Sequence, residues 1–332
     1  KPALIGMAGA WISGGIEWNI PHHHRVSTFM PVDYTLTENP DGSKTIWVGE
    51  YEKRHQTKWE VGLTLYPGKA YVQTDIRLFN VTPVVKSFLI WANPSVHANE
   101  NYQVIFPPDV EKAVFHSKVE FTDWPVSKQY YRGIDFTEGV DVSWWKNTTS
   151  PTSFFAWGTE KDFLGGIDHG KNAGIIFIGE HHTFPGKKMW NWGNNEVARL
   201  WDQMLTDQDG PYLELMMGSY SDNQPDYSWN NPYSAKYGTF YVYPVKGLEG
   251  IKEADKDLAV NIDLKNDTAF IQLYATSSYK NLKLLLTNRE QILLETIVNV
   301  SPENPFIIKK MTDQQVIPSD IKLIITDSRD KV

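Results

Sequence analysis

The 332-residue chain has no cysteine, which removes disulfides, thiolate nucleophiles and cysteine-ligated zinc or iron–sulfur centres together. It also lacks any block of Lys or Arg. With a net charge of −8, binding to a phosphate backbone or an anionic membrane has no electrostatic support, and nucleic acid is not an expected partner. Apolar runs such as 173–179 and 282–287 fall far short of the roughly 20 residues that a bilayer helix needs, so no membrane span is expected. G-x-G-x-x-G, G-x-S-x-G, H-E-x-x-H and the P-loop are all missing. Dinucleotide, α/β-hydrolase, zincin and NTPase chemistry lose their usual sequence support, and no cofactor is expected. The chain opens at Lys1-Pro2-Ala3 without a methionine, a charged leader or a cleavable apolar segment, so it reads as processed or cut from a longer protein. The compartment is left open.

Long 3.6-period apolar patterns are missing too, 196–205 being the one helical candidate. What is present is β signal. Hydrophobic residues make up 41% of the chain and charged ones 22%, enough to fold without disorder as the default. Short β-branched or aromatic runs bounded by Gly, Pro, Asn or Asp predict strands at 44–50, 58–66, 70–78, 88–91, 175–179, 212–217 and 239–243. Hairpin turns are expected at NPDGS (39–43) and YPGK (66–69), because proline presets one turn residue and glycine accepts positive φ.

All 13 tryptophans fall between Trp11 and Trp229, whereas the chain after about 256 is rich in Ile, Leu, Val, Lys and Asn. The shift marks a boundary, with the link at 246–257. Strand patterns at 258–264, 269–275, 282–286, 293–300 and 322–326 fit a small sandwich of immunoglobulin type. The expectation is an all-β protein with a larger domain over 1–250 and a small, structural β-sandwich over 257–332.

Residues 179–229 are the chemically richest stretch, with paired histidines, indoles, acids and amides between strand-like runs. Aromatic faces beside hydrogen-bonding groups are what a sugar cleft requires. In GPYLELMMGS (210–219), strand alternation puts Leu213, Leu215 and Met217 on one face and Tyr212, Glu214 and Met216 on the other. Glu214 is thus a carboxylate on a rigid strand, between Asp207 and Asp209 on one side and Asp222, Gln224 and Asp226 on the other. It is the candidate base. In IIFIGEHHTF (175–184) only one of His181 and His182 can point into a given cleft. His182 is favoured, and a bulge at Gly179 would reverse the choice. His22, His23 and His24, with Arg25, follow Pro21 and suit a hydrogen-bonding wall better than a metal site; His22 and His24 have metal-ligand spacing but no evident third ligand. No metal is expected. D-x-D-G at 207–210 lacks the rest of a calcium loop and reads as turn acids. His97 is a further candidate acid at a strand end.

The segments SGGIEWNIPHHHRVSTFMPVDY (13–34), IWANPSVHANENYQVIFPPDV (90–110), GEHHTFPGKKMWNWG (179–193) and GPYLELMMGSYSDNQPDYSW (210–229) resemble a bacterial galactose-mutarotase-like domain family. Its members often continue into tetratricopeptide repeats and occur in genomes rich in carbohydrate-utilisation systems, which links the family to carbohydrate utilisation. The resemblance covers nearly the whole chain. It implies a β-supersandwich lacking its first strands here, a sugar cleft on the concave face of the larger sheet, and a bacterial setting, periplasmic or cytoplasmic. By position it makes Glu214 similar to the mutarotase base, with His182 or His97 as the acid. Glu17, His22, His23, His24, Arg25, His181, Trp190, Trp192, Asp222 and Gln224 are the expected sugar contacts. A carbohydrate-active enzyme of epimerase or glycosidase type and a non-catalytic sugar-binding module are both compatible with this residue set. Fold analogy does not choose between them.

Overall fold

The computed structural model describes residues 2–5, 9–22, 24–25, 28, 30–221, 226–312, 316 and 318–327. Two antiparallel sheets face each other. The first has eight strands in the spatial order Tyr102–Ile105, Phe163–Asp168, Ala173–Gly179, Ala235–Lys246, Val72–Asn80, Thr57–Leu65, Lys44–Glu52, Asp33–Glu38. The second has seven, in the order Phe121–Asp123, Lys112–Val114, Thr152–Trp157, Gly186–Asn191, Tyr212–Ser219, Ile90–His97, Ile16–Asn19. The NPDGS turn closes one hairpin of the first sheet: Gly42 takes φ +82°, its N–H reaches the Asn39 carbonyl at 2.9 Å, and Asp41 accepts from Ser43 N.

Strand alternation sorts each element between two environments. On the Tyr212–Ser219 strand, Leu213, Leu215 and Met217 enter the main core, where they meet Val61, Ile76, Leu78, Leu164, Phe177 and Phe240 of the eight-stranded sheet. Tyr212 and Met216 point the other way, into aromatic clusters on the outer face of the seven-stranded sheet. The Glu196–Thr206 helix lies against that outer face. Asn195 caps it by accepting from Ala198 N at 2.9 Å, and its Leu205 and Trp201 pack with Trp192 and Tyr212.

From Glu253, within the expected linker, onward the chain builds a four-stranded and a three-stranded sheet around an apolar cluster that includes Ile271, Leu273, Leu284, Leu286 and Val298. A further cluster crosses the linker. Phe163, Ile176, Ile178, Tyr243 and Val245, from the outer face of the eight-stranded sheet, pack with Leu248, Ile251, Ala254, Ala259 and Tyr274. Gly165 is what lets Ile251 sit so close, since a Cβ there would lie 2.5 Å from Ile251 Cδ1. The two parts are therefore docked through a continuous apolar contact, on the face opposite to the one that carries the polar site.

Candidate functional site

Three neighbouring strands bring two carboxylates together on the outer face of the seven-stranded sheet. Glu17 lies opposite Asn93, and Glu214 lies opposite both Ser95 and Trp190, so all share one face. Asn93 Nδ2 donates to Glu17 Oε2 at 3.2 Å and to Glu214 Oε2 at 3.0 Å. These two oxygens are therefore no more than about 6 Å apart, the two bonds laid end to end. Glu17 and Glu214 are 2% and 8% exposed, so Glu214 is a buried carboxylate on an interior strand and not an edge-strand surface acid.

The two carboxylates differ in how many bonds they already accept. Glu17 takes Asn19 Nδ2 at 3.1 Å and Asn93 on Oε2, Ile12 N at 3.3 Å on Oε1, and His24 Nδ1 lies 3.4 Å from Oε1. That fills the four lone-pair directions of a carboxylate. Glu214 accepts from Asn93 and, on Oε1, from Tyr212 Oη at 3.3 Å, leaving capacity on both oxygens. Burial, with the negative charge of Glu17, outweighs Asn93, His24 and Tyr212 and pushes the Glu214 carboxyl up to about 7. Burial alone would lower His24, but its hydrogen bond to Glu17 and the charges of Glu17 and Glu214 hold it above its ordinary value.

Aromatic rings wall this polar floor. Trp190 meets Trp192 edge-on at 5.4 Å, Trp192 packs on Trp201 and Tyr212, and the His24 ring stands edge-on to Trp91 at 5.6 Å. Lys188, buried, lies over Trp91 and Phe155, 5.7 and 5.0 Å from their centroids. His116 Nδ1 sits 3.0 Å from Ser153 Oγ, and its ring is 5.9 Å from Trp190. Burial, with the charges of Arg132 and Lys188, pulls His116 down to about 4, so it is neutral at pH 7. Asn19 Oδ1, Asn93 Oδ1 and Trp190 Nε1 are buried here with no hydrogen-bond partner among the described residues.

The structure thus gathers Glu17, Glu214, His24, Trp190 and Trp192. His97, exposed, faces Tyr212 across the strand pair, diagonal to Glu214 on the same face and about 7–8 Å from it. His22 reaches the rim, where its ring packs on Tyr227 at 5.5 Å and His55 at 4.1 Å. His22 and His24, whose spacing would suit two metal ligands, are instead sent to different partners, His22 to Tyr227 and His55 and His24 to Glu17. Arg25 turns to the other sheet, pairing with Glu50 at 2.6 Å and lying 5.7 Å from the Trp59 ring.

His181 and His182 lie elsewhere. Residues 181–183 form a turn, so strand alternation does not apply, and His181 Nδ1 binds Asp162 Oδ1 at 2.8 Å. The adjoining strand begins at Gly186, opposite Gly218, four positions or about 13 Å along the strand from Glu214. His23, Asp222 and Gln224 lie outside the described residues.

Asn93, Trp91, Ser95, Lys188, Tyr212 and His116 were not among the expected site residues. Most were within reach of alternation: Trp91, Asn93 and Ser95 precede His97 at even spacing, Lys188 precedes Trp190, and Tyr212 precedes Glu214. His116 had no such signal, since it arrives from another strand's end.

Among solved structures, the chain is similar to a TPR-domain-containing protein from Parabacteroides distasonis at 20% identity, covering 70% of this chain and 38% of that one, with a TM-score of 0.60. It is similar to the Slr1438 protein from Synechocystis sp. PCC 6803 at 10% identity, covering 71% and 80%, with a TM-score of 0.51. A galactose mutarotase-like protein from Clostridium acetobutylicum matches at 12% identity over 65% and 67%, with a TM-score of 0.40. The likeness to the first two is one of fold. This chain spans 38% of the length of the Parabacteroides protein. Residues 253–332 match the model described as the second domain of YphG-like proteins. Residues 1–244, which hold both facing sheets and the paired carboxylates, match the model described as a domain of unknown function, DUF5107, and the chain belongs to that family.

Proposed function

We propose that the outer face of the seven-stranded sheet binds a carbohydrate and that Glu214 exchanges a proton with it. The observation that carries this is the pair of buried carboxylates at the foot of an indole wall, one fully hydrogen-bonded and one with acceptor capacity to spare. Buried polar atoms beside them that have no partner among the described residues, Asn93 Oδ1, Asn19 Oδ1 and Trp190 Nε1, supply further groups for hydroxyls.

The chemistry suits a sugar epimerase of mutarotase type better than a glycosidase. The oxygens of Glu17 and Glu214 that share Asn93 are at most about 6 Å apart, short of the roughly 6.5–9.5 Å of an inverting pair, and Glu17, already engaged by Ile12 N, Asn19, Asn93 and His24, is poorly placed to be the nucleophile of a retaining pair. Glu17 instead positions Asn93 and His24 and raises the basicity of Glu214. Glu214 takes the anomeric hydroxyl proton, His97 protonates the ring oxygen, the C–O bond opens, and rotation before closure inverts the centre. A carboxyl balanced near neutrality is suited to give that proton back. The Parabacteroides neighbour's TPR domain supports tetratricopeptide repeats as a companion of this domain in the full-length protein.

A non-catalytic sugar-binding module is the second reading. It is favoured by the engagement of both Glu214 oxygens by protein donors. The test is a panel of reducing sugars and oligosaccharides screened by thermal shift, with hits followed by NMR for anomer exchange and for cleavage. Glu214→Gln should abolish turnover and keep binding, and His97→Ala should slow turnover by about 10²–10⁴-fold. Binding without turnover in the wild type would establish the module instead, and binding unaffected by Trp190→Ala would remove the site.

A further inference from the structure

The turn at 180–183 carries the chain from the Ala173–Gly179 strand of one sheet to the Gly186–Asn191 strand of the other. Here Glu180, His181 and His182 each offer a ligand atom, all within 4.8 Å of one another. We propose that these three side chains bind a divalent transition-metal ion that clips the crossover between the sheets, a role independent of the sugar site.

The cluster has the supporting bonds that metal-binding side chains use. His181 Nδ1 lies 2.8 Å from Asp162 Oδ1, and the same oxygen accepts the His181 backbone N–H at 2.8 Å. With Nδ1–H directed at Asp162, the lone pair of the ring rests on Nε2, the tautomer that a carboxylate partner sets in metal-bound histidines, and the Glu180 carboxylate lies 3.9 Å from the same ring. Glu180 is held over the turn by His182 N at 3.1 Å, Thr183 N at 2.9 Å and Thr183 Oγ1 at 3.0 Å. Glu180 and His182 are exposed and His181 half-buried, so an ion can enter from solvent.

Two imidazoles and one carboxylate match Zn²⁺, Ni²⁺ or Co²⁺ better than the all-oxygen shells of Ca²⁺ and Mg²⁺. Metal–ligand bonds of about 2.0–2.2 Å require the donor atoms to close to roughly 3.3 Å, which His182 reaches by rotating in solvent and Glu180 by exchanging one of its turn hydrogen bonds for the metal, with water completing the shell. Lys187, buried beneath the turn with Nζ 3.4 Å from the Phe184 carbonyl, sets a positive charge near the cluster that works against tight binding.

The experiment is calorimetric titration and thermal shift of the whole chain with ZnCl₂ and NiCl₂, with CaCl₂ and MgCl₂ as comparisons. One equivalent of Zn²⁺ or Ni²⁺ should bind and raise the melting temperature, with EDTA reversing it. His182→Ala and Glu180→Gln should each weaken binding at least tenfold and leave the metal-free melting temperature within a degree or two. His22→Ala, which alters the separate His22–His55 contact, should change nothing. Absence of binding, undiminished binding in both turn variants, or loss of binding in His22→Ala would overturn the proposal.

Discussion

Replacing Glu214 by glutamine tests the carboxylate pair without any knowledge of the ligand. Glutamine keeps the shape, can still accept from Asn93, and can donate to the Tyr212 oxygen in place of accepting from it. It cannot ionise. In the folded protein the Glu214 carboxyl is raised from 4.5 to about 7, so the native state holds this proton more tightly than the unfolded chain does. The resulting stability is fully present below 4.5 and is lost as pH rises through about 7. At about 1.4 kcal/mol per unit, the full loss is about 3.5 kcal/mol, and most of it falls between pH 5 and pH 8. The variant has no such loss. Urea unfolding at pH 5, 6, 7 and 8 should therefore show Glu214→Gln gaining roughly 2–3 kcal/mol on the wild type across the range. His24, also raised, weakens the wild type in the same direction as pH climbs, but it remains in both proteins and largely cancels in the difference. A difference between the two proteins that stays flat to within 1 kcal/mol would refute the reasoning, and with it the claim that burial and Glu17 hold Glu214 protonated near neutrality.

Asn93→Ala removes the donor shared by both buried carboxylates; stability at pH 8 should fall by about 1–3 kcal/mol in the same urea assay, and an unchanged midpoint would mean the bridge contributes nothing. Trp190→Ala should weaken any sugar found in the thermal-shift screen at least tenfold, about 1.4 kcal/mol, by calorimetry. Ile251→Ala opens the apolar contact between the two parts of the chain and should cost about 2–5 kcal/mol, while removing 253–332 altogether should leave Tyr243, Val245 and Leu248 exposed. That truncated protein is expected to bind ANS and aggregate on size exclusion; a monodisperse, ANS-silent fragment would show that the docking is dispensable.

Local chemistry made much of the scaffold legible. Alternation in YLELMM placed Leu213, Leu215 and Met217 inward and Glu214 outward, and the structure has them so. The NPDGS turn was readable because its signal, a glycine free to take positive φ, acts over a few residues, and 196–205, the one helical candidate, is a helix that the structure shows capped by Asn195. Alternation failed at His181 and His182 because it presumes an extended chain, and the chain turns as soon as the strand ends at Gly179.

The sequence by itself determined an all-β chain with a change of composition near 256 and a polar-aromatic face bearing Glu214. Which groups meet on that face was decided only by strand pairing. Glu17 and Glu214 are 197 positions apart, and nothing local to either predicts that Asn93 will stand between them, because register depends on how every strand of the sheet shares the core beneath it. The elevated proton affinity of Glu214 is likewise tertiary. It comes from burial and from the neighbouring charge of Glu17, and neither exists until the sheet has assembled.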